Sequence, residues 1–270
     1  CGGETDLVLF NKYINESGRP IEVENCHWGS VAPFKPDPTL PPALGCPWNF
    51  YRTSGDVRAS YESVLSNLAS TVPLAAQNLS YPGCWAYPDM LQVGCAHGPG
   101  GASDPGLSPA ETRTHFGAWA IVSSPLTLSH DVHNDTITDA IWPVIANTEA
   151  IAVNQQYAGH SGSPFRQSNA TVVIGTSPYP ASQFFYKPLE PNGAARTAVL
   201  AMNSDAVAHT LSFDFSEVPG VTCTQCHVRD IWAHRDLGVF SGSWSGSVES
   251  HDAAFLIVYP ASADILTQQS

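Results

Sequence analysis

The sequence predicts an α/β region followed by an all-β region, and three observations carry that prediction. Extended and helical patterns alternate from the start of the chain to about residue 158. From about residue 170 onward, short extended segments follow one another, separated by Gly, Pro, Ser and Asn, which is the pattern of an antiparallel sandwich. The composition, 43% hydrophobic and 13% charged, forms cores, so neither region is expected to be disordered.

In the first region, Thr5 is placed to cap a helix with Leu7, Leu9, Phe10, Tyr13 and Ile14 as its apolar positions and Gly18 as its stop. A short strand is expected over Ile21 to Cys26. A Pro-rich stretch from Val31 to Pro47 has no periodicity and reads as a loop. Trp48 to Arg52 is extended. Val57, Tyr61, Val64, Leu65, Leu68 and Val72 follow at helical spacing. Trp85 to Val93 is extended and interrupted by Pro88. Ser108-Pro109-Ala110-Glu111 is a capping box with Pro at the first helical position, opening a helix through Phe116, Trp119 and Val122. Leu126 to Leu128 is a further short strand. Helices are expected over Ile137 to Ile145, kinked at Pro143, and over Thr148 to Asn154. Trp119 and Trp142 are expected in the core.

Strand then helix, four times over, is half of what a (β/α)8 barrel needs. The chain also opens on Cys1-Gly2-Gly3 leading straight into a helix, as a loop after a strand does. The simplest reading is the C-terminal half of a (β/α)8 barrel over 1–160, then an antiparallel β-sandwich domain over 161–270. A complete small open α/β sheet is the alternative. The expected strands of the second region are Thr171–Ile174, Phe184–Tyr186, Thr197–Asn203, Thr210–Phe213, Val228–Trp232 and Phe255–Tyr259, with the boundary near Gly159 to Pro164.

The chain has 270 residues and a net charge of -13, so its surface repels phosphate backbones and nucleic acid is not an expected partner. No apolar run is long enough to span a bilayer. Seven cysteines suggest pairs plus one left over. Together with Asn-x-Ser/Thr sequons at Asn15, Asn78, Asn134 and Asn169, they favour an oxidising, secretory compartment.

In barrels, chemistry sits at the carboxyl ends of strands. Three segments qualify: Cys26-His27-Trp28-Gly29, Tyr51 to Asp56, and Trp85 to Leu91. Each couples a polar residue to an aromatic one, as sugar sites do. Glycoside hydrolysis needs two carboxylates flanking the bond, which makes Asp56 and Asp89 candidates. By spacing alone, the favoured readings are Asp56 as a helix cap and Asp89 as a turn residue. The cluster His130-Asp131-Val132-His133 reads as a strand-end loop, since no third convergent metal ligand is evident.

The segments Tyr51–Asp56, Pro82–Gly94, His115–Pro125 and Ala150–Gln155 resemble, in order, the α-galactosidases of glycoside hydrolase family 27. The resemblance implies a (β/α)8 barrel with a C-terminal antiparallel β domain. It also implies retaining removal of terminal α-linked galactose, without metal or organic cofactor. By the same resemblance Asp56 is the acid/base, Arg52 binds substrate, and Asp89 and Met90 line the sugar pocket. The nucleophile is expected two positions before Cys1, so the chain as given is expected to be catalytically silent. Cys26–Cys46 matches a family disulfide, and Cys84–Cys95 and Cys223–Cys226 are expected local pairs. Cys1 is left over. His27 stands where the family has Glu or Asn near the sugar's 2-substituent, and Tyr87 replaces a common Asp. Two other readings therefore stay open: a non-catalytic carbohydrate-binding relative, and an α-N-acetylgalactosaminidase. The expected partner is an α-galactoside substrate, a homodimer is compatible with the sequence, and the expected location is secreted or lysosomal/vacuolar.

Overall fold

The computed structural model of the chain describes residues 4–26, 46–96, 104–190 and 195–261. Helix α1 (Glu4–Ser17) begins just before the expected Thr5 cap and ends at Gly18, whose φ of 67° lies in the left-handed region that favours glycine. Its Ile14 is buried, whereas Leu9, Phe10 and Tyr13 are exposed. Strands β1 (Glu24–Asn25), β2 (Phe50–Arg52) and β3 (Trp85–Tyr87) form a parallel sheet in the order β1-β2-β3. Each lies inside its predicted segment but is shorter. Helix α2 (Tyr61–Ala76) joins β2 to β3 and buries Val64, Leu65 and Leu68, as their spacing requires. The fourth expected strand, Leu126 to Leu128, is reduced to one parallel bridge between Leu128 and Leu91.

Helix α3 (Pro109–Ile121) starts at the predicted capping box: Ser108 accepts from the Glu111 amide and Glu111 accepts from that of Ser108. Helices α4 (Asp135–Ile145) and α5 (Thr148–Gln155) follow, capped by Asn134 and Asn147. Helix α4 runs as one element with Pro143 inside it. It buries Ile141 alone, so Trp142, next round the helix, is 58% exposed and not in the core as expected.

The second region is antiparallel. Strands β4 (Ser163–Gln167), β7 (Ser182–Leu189), β8 (Arg196–Asn203), β10 (Gln225–Asp230), β11 (Arg235–Ser241) and β13 (Ala253–Pro260) make one sheet in the order β11-β10-β13-β8-β7-β4. Strand β9 (His209–Asp214) pairs with β12 (Ser243–Val248), and β5 (Thr171–Ile174) with β6 (Ser177–Pro180). The sequence pattern missed β4, β6, β11 and β12. Pro178 and Pro180 in β6, and the Ser and Gly of β12, mask their extended character.

Strand β8 is buried on both faces. Ala198, Leu200 and Met202 meet Leu65, Phe116 and Val153 in one core, and Val199 and Ala201 meet Phe213 and Trp244 in another. The six-stranded sheet is thus a middle layer, between helices of the first region and the β9–β12 ribbon.

Two expected disulfides are replaced by one. Cys46 bonds Cys84, with Cα atoms 6.0 Å apart, while Cys26 and Cys95 are free thiols. Cys46 and Cys84 each precede a parallel strand and so share the amino end of the sheet. Cys26 follows β1 and Cys95 lies beyond Leu91, at the carboxyl end. Both expected pairings would bridge opposite ends of strands that advance about 3.3 Å per residue, beyond the roughly 7 Å a disulfide allows. Cys223–Cys226 is present.

Candidate active site at the carboxyl ends of the parallel strands

Parallel register decides which side chains meet. Glu24, Phe50 and Trp85 are aligned across the sheet, and Tyr51 aligns with Ala86 one residue on. Alternation then turns Arg52 and Tyr87 to the same face as Phe50 and Trp85. Tyr51 and Ala86 take the other face, in a core with Ile14, Val23 and Trp48.

Arg52 is the hub. Its Nη2 lies 3.1 Å from Asp56 Oδ1, 2.8 Å from Asp89 Oδ2 and 3.3 Å from the Ser54 carbonyl. Its Nη1 reaches Cys26 Sγ at 4.0 Å. Arg52 and Asp89 are buried, whereas the Asp56 side chain is 68% exposed. Asp56 is therefore the carboxylate a ligand can reach. It does not cap α2, whose N-cap is Ser60. Asp89 Oδ2 also accepts the Val57 amide at 2.9 Å, and Oδ1 accepts the Met90 amide at 2.8 Å. Asn67 of α2 ties the two loops together, donating to the carbonyls of Gly55 at 3.1 Å and Pro88 at 2.9 Å.

Desolvation pushes the Glu24 carboxyl up; the Arg52 guanidinium pulls it down and the Asp89 charge adds to the rise. Tyr87, which stands where the resemblance expects an Asp, is buried with its ring edge-on to Phe50 at 5.1 Å. Burial pushes its hydroxyl up to about 12, so it is a neutral wall. Met90 lines a cavity of about 380 Å³ with Gln92, Cys95, Ser129, His130 and Asp131. Burial raises the Cys95 thiol there. A second cavity of about 370 Å³ lies at the amino ends of the strands, lined by Glu22, Asn49, Trp85 and Thr127 but not by Asp56 or Asp89. Among the described residues no three His, Cys, Asp or Glu side chains converge as a metal site, and no helix is long and apolar enough to cross a membrane. His27 and Cys1 lie outside the described residues.

Residues 4–156 match the family described as alpha galactosidase A, and residues 180–258 match the alpha galactosidase C-terminal beta sandwich domain. The chain belongs to the alpha-galactosidase family. Relatives include the alpha-galactosidase of Cyamopsis tetragonoloba, 29% identical over 254 residues, covering 94% of this chain and 53% of that protein. Another is the alpha-galactosidase of Oryza sativa subsp. japonica, 29% identical over 243 residues, covering 90% and 50%. The chain thus spans about half the length of these curated relatives. Alpha-galactosidase I of Mortierella vinacea shares the fold with a TM-score of 0.70 at 23% identity, covering 95% of this chain and 63% of that one. The Saccharomyces cerevisiae enzyme solved with raffinose gives 0.74 at 19%, covering 94% and 67%.

The structure brings Asp56, Arg52 and Asp89 together, with Met90 next to Asp89 on the neighbouring cavity. Three neighbours escaped sequence reasoning. Asn67 was legible as a polar residue among the buried positions of α2. Glu24 was legible only once parallel register put it in line with Phe50. Trp119, read as core, is fully buried but also donates its indole N–H to the Asp89 carbonyl.

Proposed function

We propose that this chain contributes the acid/base side of a retaining α-galactosidase and that its parallel strands belong to an eight-stranded barrel. The observation that carries the reading is the exposed Asp56 held by a buried guanidinium that also neutralises Asp89. In this reading Asp56 gives its proton to the glycosidic oxygen as a carboxylate nucleophile bonds to the sugar's anomeric carbon, then takes a proton from the water that breaks that second bond and releases the sugar. Arg52 stays charged throughout and orients both carboxylates. Asp89 is not assigned as the nucleophile: by the resemblance its position lines the sugar pocket, and it is buried and paired with Arg52. Asp89 and Met90 are assigned to the sugar pocket, and no nucleophile is assigned among the described residues. The four sequon asparagines are exposed, which supports glycosylation and a secreted or lysosomal/vacuolar location.

Hydrolysis of a nitrophenyl α-galactoside by the whole gene product tests the assignment. Asp56→Asn is expected to lower turnover roughly 10²- to 10⁴-fold while galactose still binds. An unchanged rate would remove Asp56 from the mechanism. Comparison with the nitrophenyl α-N-acetylgalactosaminide separates the two sugar specificities. Tyr87, standing where the resemblance expects an Asp, favours a second reading, a carbohydrate-binding relative; galactose binding without turnover would select it.

A further inference from the structure

Helix α3 touches the candidate site with one side and the antiparallel sheet with the other. His115 and Trp119 stand one turn apart on it, both fully buried, with their rings edge to face at 4.2 Å. Trp119 Nε1 donates to the Asp89 carbonyl at 2.6 Å, and His115 Nε2 accepts the Gln92 amide at 2.9 Å. Two side chains of one helix thus hold both ends of the loop that carries Asp89 and Met90. Asp89 needs holding: its φ is 86°, a region that non-glycine residues keep only where their surroundings enforce it. Burial keeps the His115 ring neutral, lowering it to about 3, and since Nε2 accepts, the ring hydrogen sits on Nδ1.

The opposite side of α3 is pinned to the C-terminal region. Arg113 pairs with Asp252 through Nε at 3.1 Å and through Nη2. Thr114 Oγ1 donates to the His251 carbonyl at 2.7 Å. Gly117 lets the helix lie close on the sheet: a Cβ there would stand 3.0 Å from Leu200 and 3.1 Å from Trp232.

We propose that α3 is a strut through which the C-terminal β region sets the Asp89–Gln92 loop, with Trp119 and His115 as positioning residues for sugar binding. The functional half of this inference rests on the sugar-pocket assignment above. Plain apolar packing would not need an indole N–H and an imidazole nitrogen, each aimed at a backbone group of the same loop.

The test uses the whole gene product and reads two quantities: amide hydrogen exchange at Met90, Leu91 and Gln92, and galactose affinity by calorimetry. Trp119→Phe keeps the ring and removes the donor; His115→Leu removes the acceptor. Each is expected to speed exchange in the loop at least about 10-fold and to weaken galactose about 10- to 100-fold, as small misplacements of binding groups do. His115→Gln, which restores an acceptor, is expected to recover most of both. Asp252→Asn is expected to change both in the same direction, less strongly. Loop exchange unaffected by Trp119→Phe and His115→Leu would overturn the strut, whatever galactose does. Wild-type protein that binds no galactose would sink the sugar-pocket assignment, and the exchange arm alone would then decide the strut. Should Trp119→Phe fail to fold, the contrast between His115→Leu and His115→Gln carries the decision.

Discussion

The parallel and antiparallel sheets of this molecule are held in different ways. The parallel sheet has strands of two or three residues, and its candidate site lies in the loops beyond them. Those loops are organised by residues far apart in sequence: Arg52 meets Asp89, and Trp119 and His115 reach back to residues 89 and 92. In the antiparallel sheet, β7, β8 and β13 have eight residues each, and β10–β11 pairs consecutive strands. The disulfides repeat the contrast, one joining cysteines 38 apart and the other cysteines 3 apart. A site on short parallel strands gains its rigidity from cross-connections, whereas long ladders supply their own.

The strongest way to break the comparison is at the hub. Arg52→Ala strands the buried Asp89 carboxylate and is expected to cost about 3–5 kcal/mol in denaturant unfolding, with loss of galactoside turnover. A cost below about 1 kcal/mol would mean that water replaces the guanidinium. Removing the long cross-link comes next: Cys46→Ser with Cys84→Ser is expected to cost about 4 kcal/mol by loop closure. The matching pair, Cys223→Ser with Cys226→Ser, is expected to cost about 2 kcal/mol, so a reversed order in thermal unfolding would refute the contrast.

Two buried bases sharpen it through pH. His115 is lowered from 6.5 to about 3. Between those values the unfolded chain binds a proton that the folded chain refuses, so stability falls as pH drops from about 6.5 toward 3. His115→Gln should flatten that limb of the stability curve. Lys187 of β7 is fully buried and donates to the carbonyls of Val153 at 2.5 Å and Asn154 at 2.9 Å, closing the end of α5 against the sheet. Burial lowers it from 10.5 to about 7. The unfolded chain holds the extra proton between those values, so stability rises with pH across that window, and Lys187→Met should remove the slope.

Much of the local structure was legible because it is written in local chemistry. The Ser108–Glu111 capping box starts α3 where its residues say, and Gly18 stops α1. Apolar spacing marked α2, and extended segments set off by Gly, Pro, Ser and Asn marked β8 and β13. The resemblance drew Arg52, Asp56, Asp89 and Met90 into one group, and the structure places them at neighbouring strand ends. The local Cys223–Cys226 pair was legible, but the Cys46–Cys84 pair was not, since nearness in sequence says nothing about which end of a parallel strand a residue occupies. Trp142 was misplaced for a similar reason, because helical spacing alone does not say which side of α4 faces the core.

By itself, the sequence determined the order and kind of most main elements, the family, and the candidacy of Arg52, Asp56 and Asp89. These depend on contacts within a few residues or on motif segments kept in order. Tertiary structure alone decided that α3 would clamp the Asp89 loop from one side while resting on the antiparallel sheet from the other. It also decided that Cys46 would find Cys84, and that Lys187 would end up against the last carbonyls of α5. Each of these joins residues more than twenty positions apart, where packing of one layer on another, and no local propensity, sets the partner.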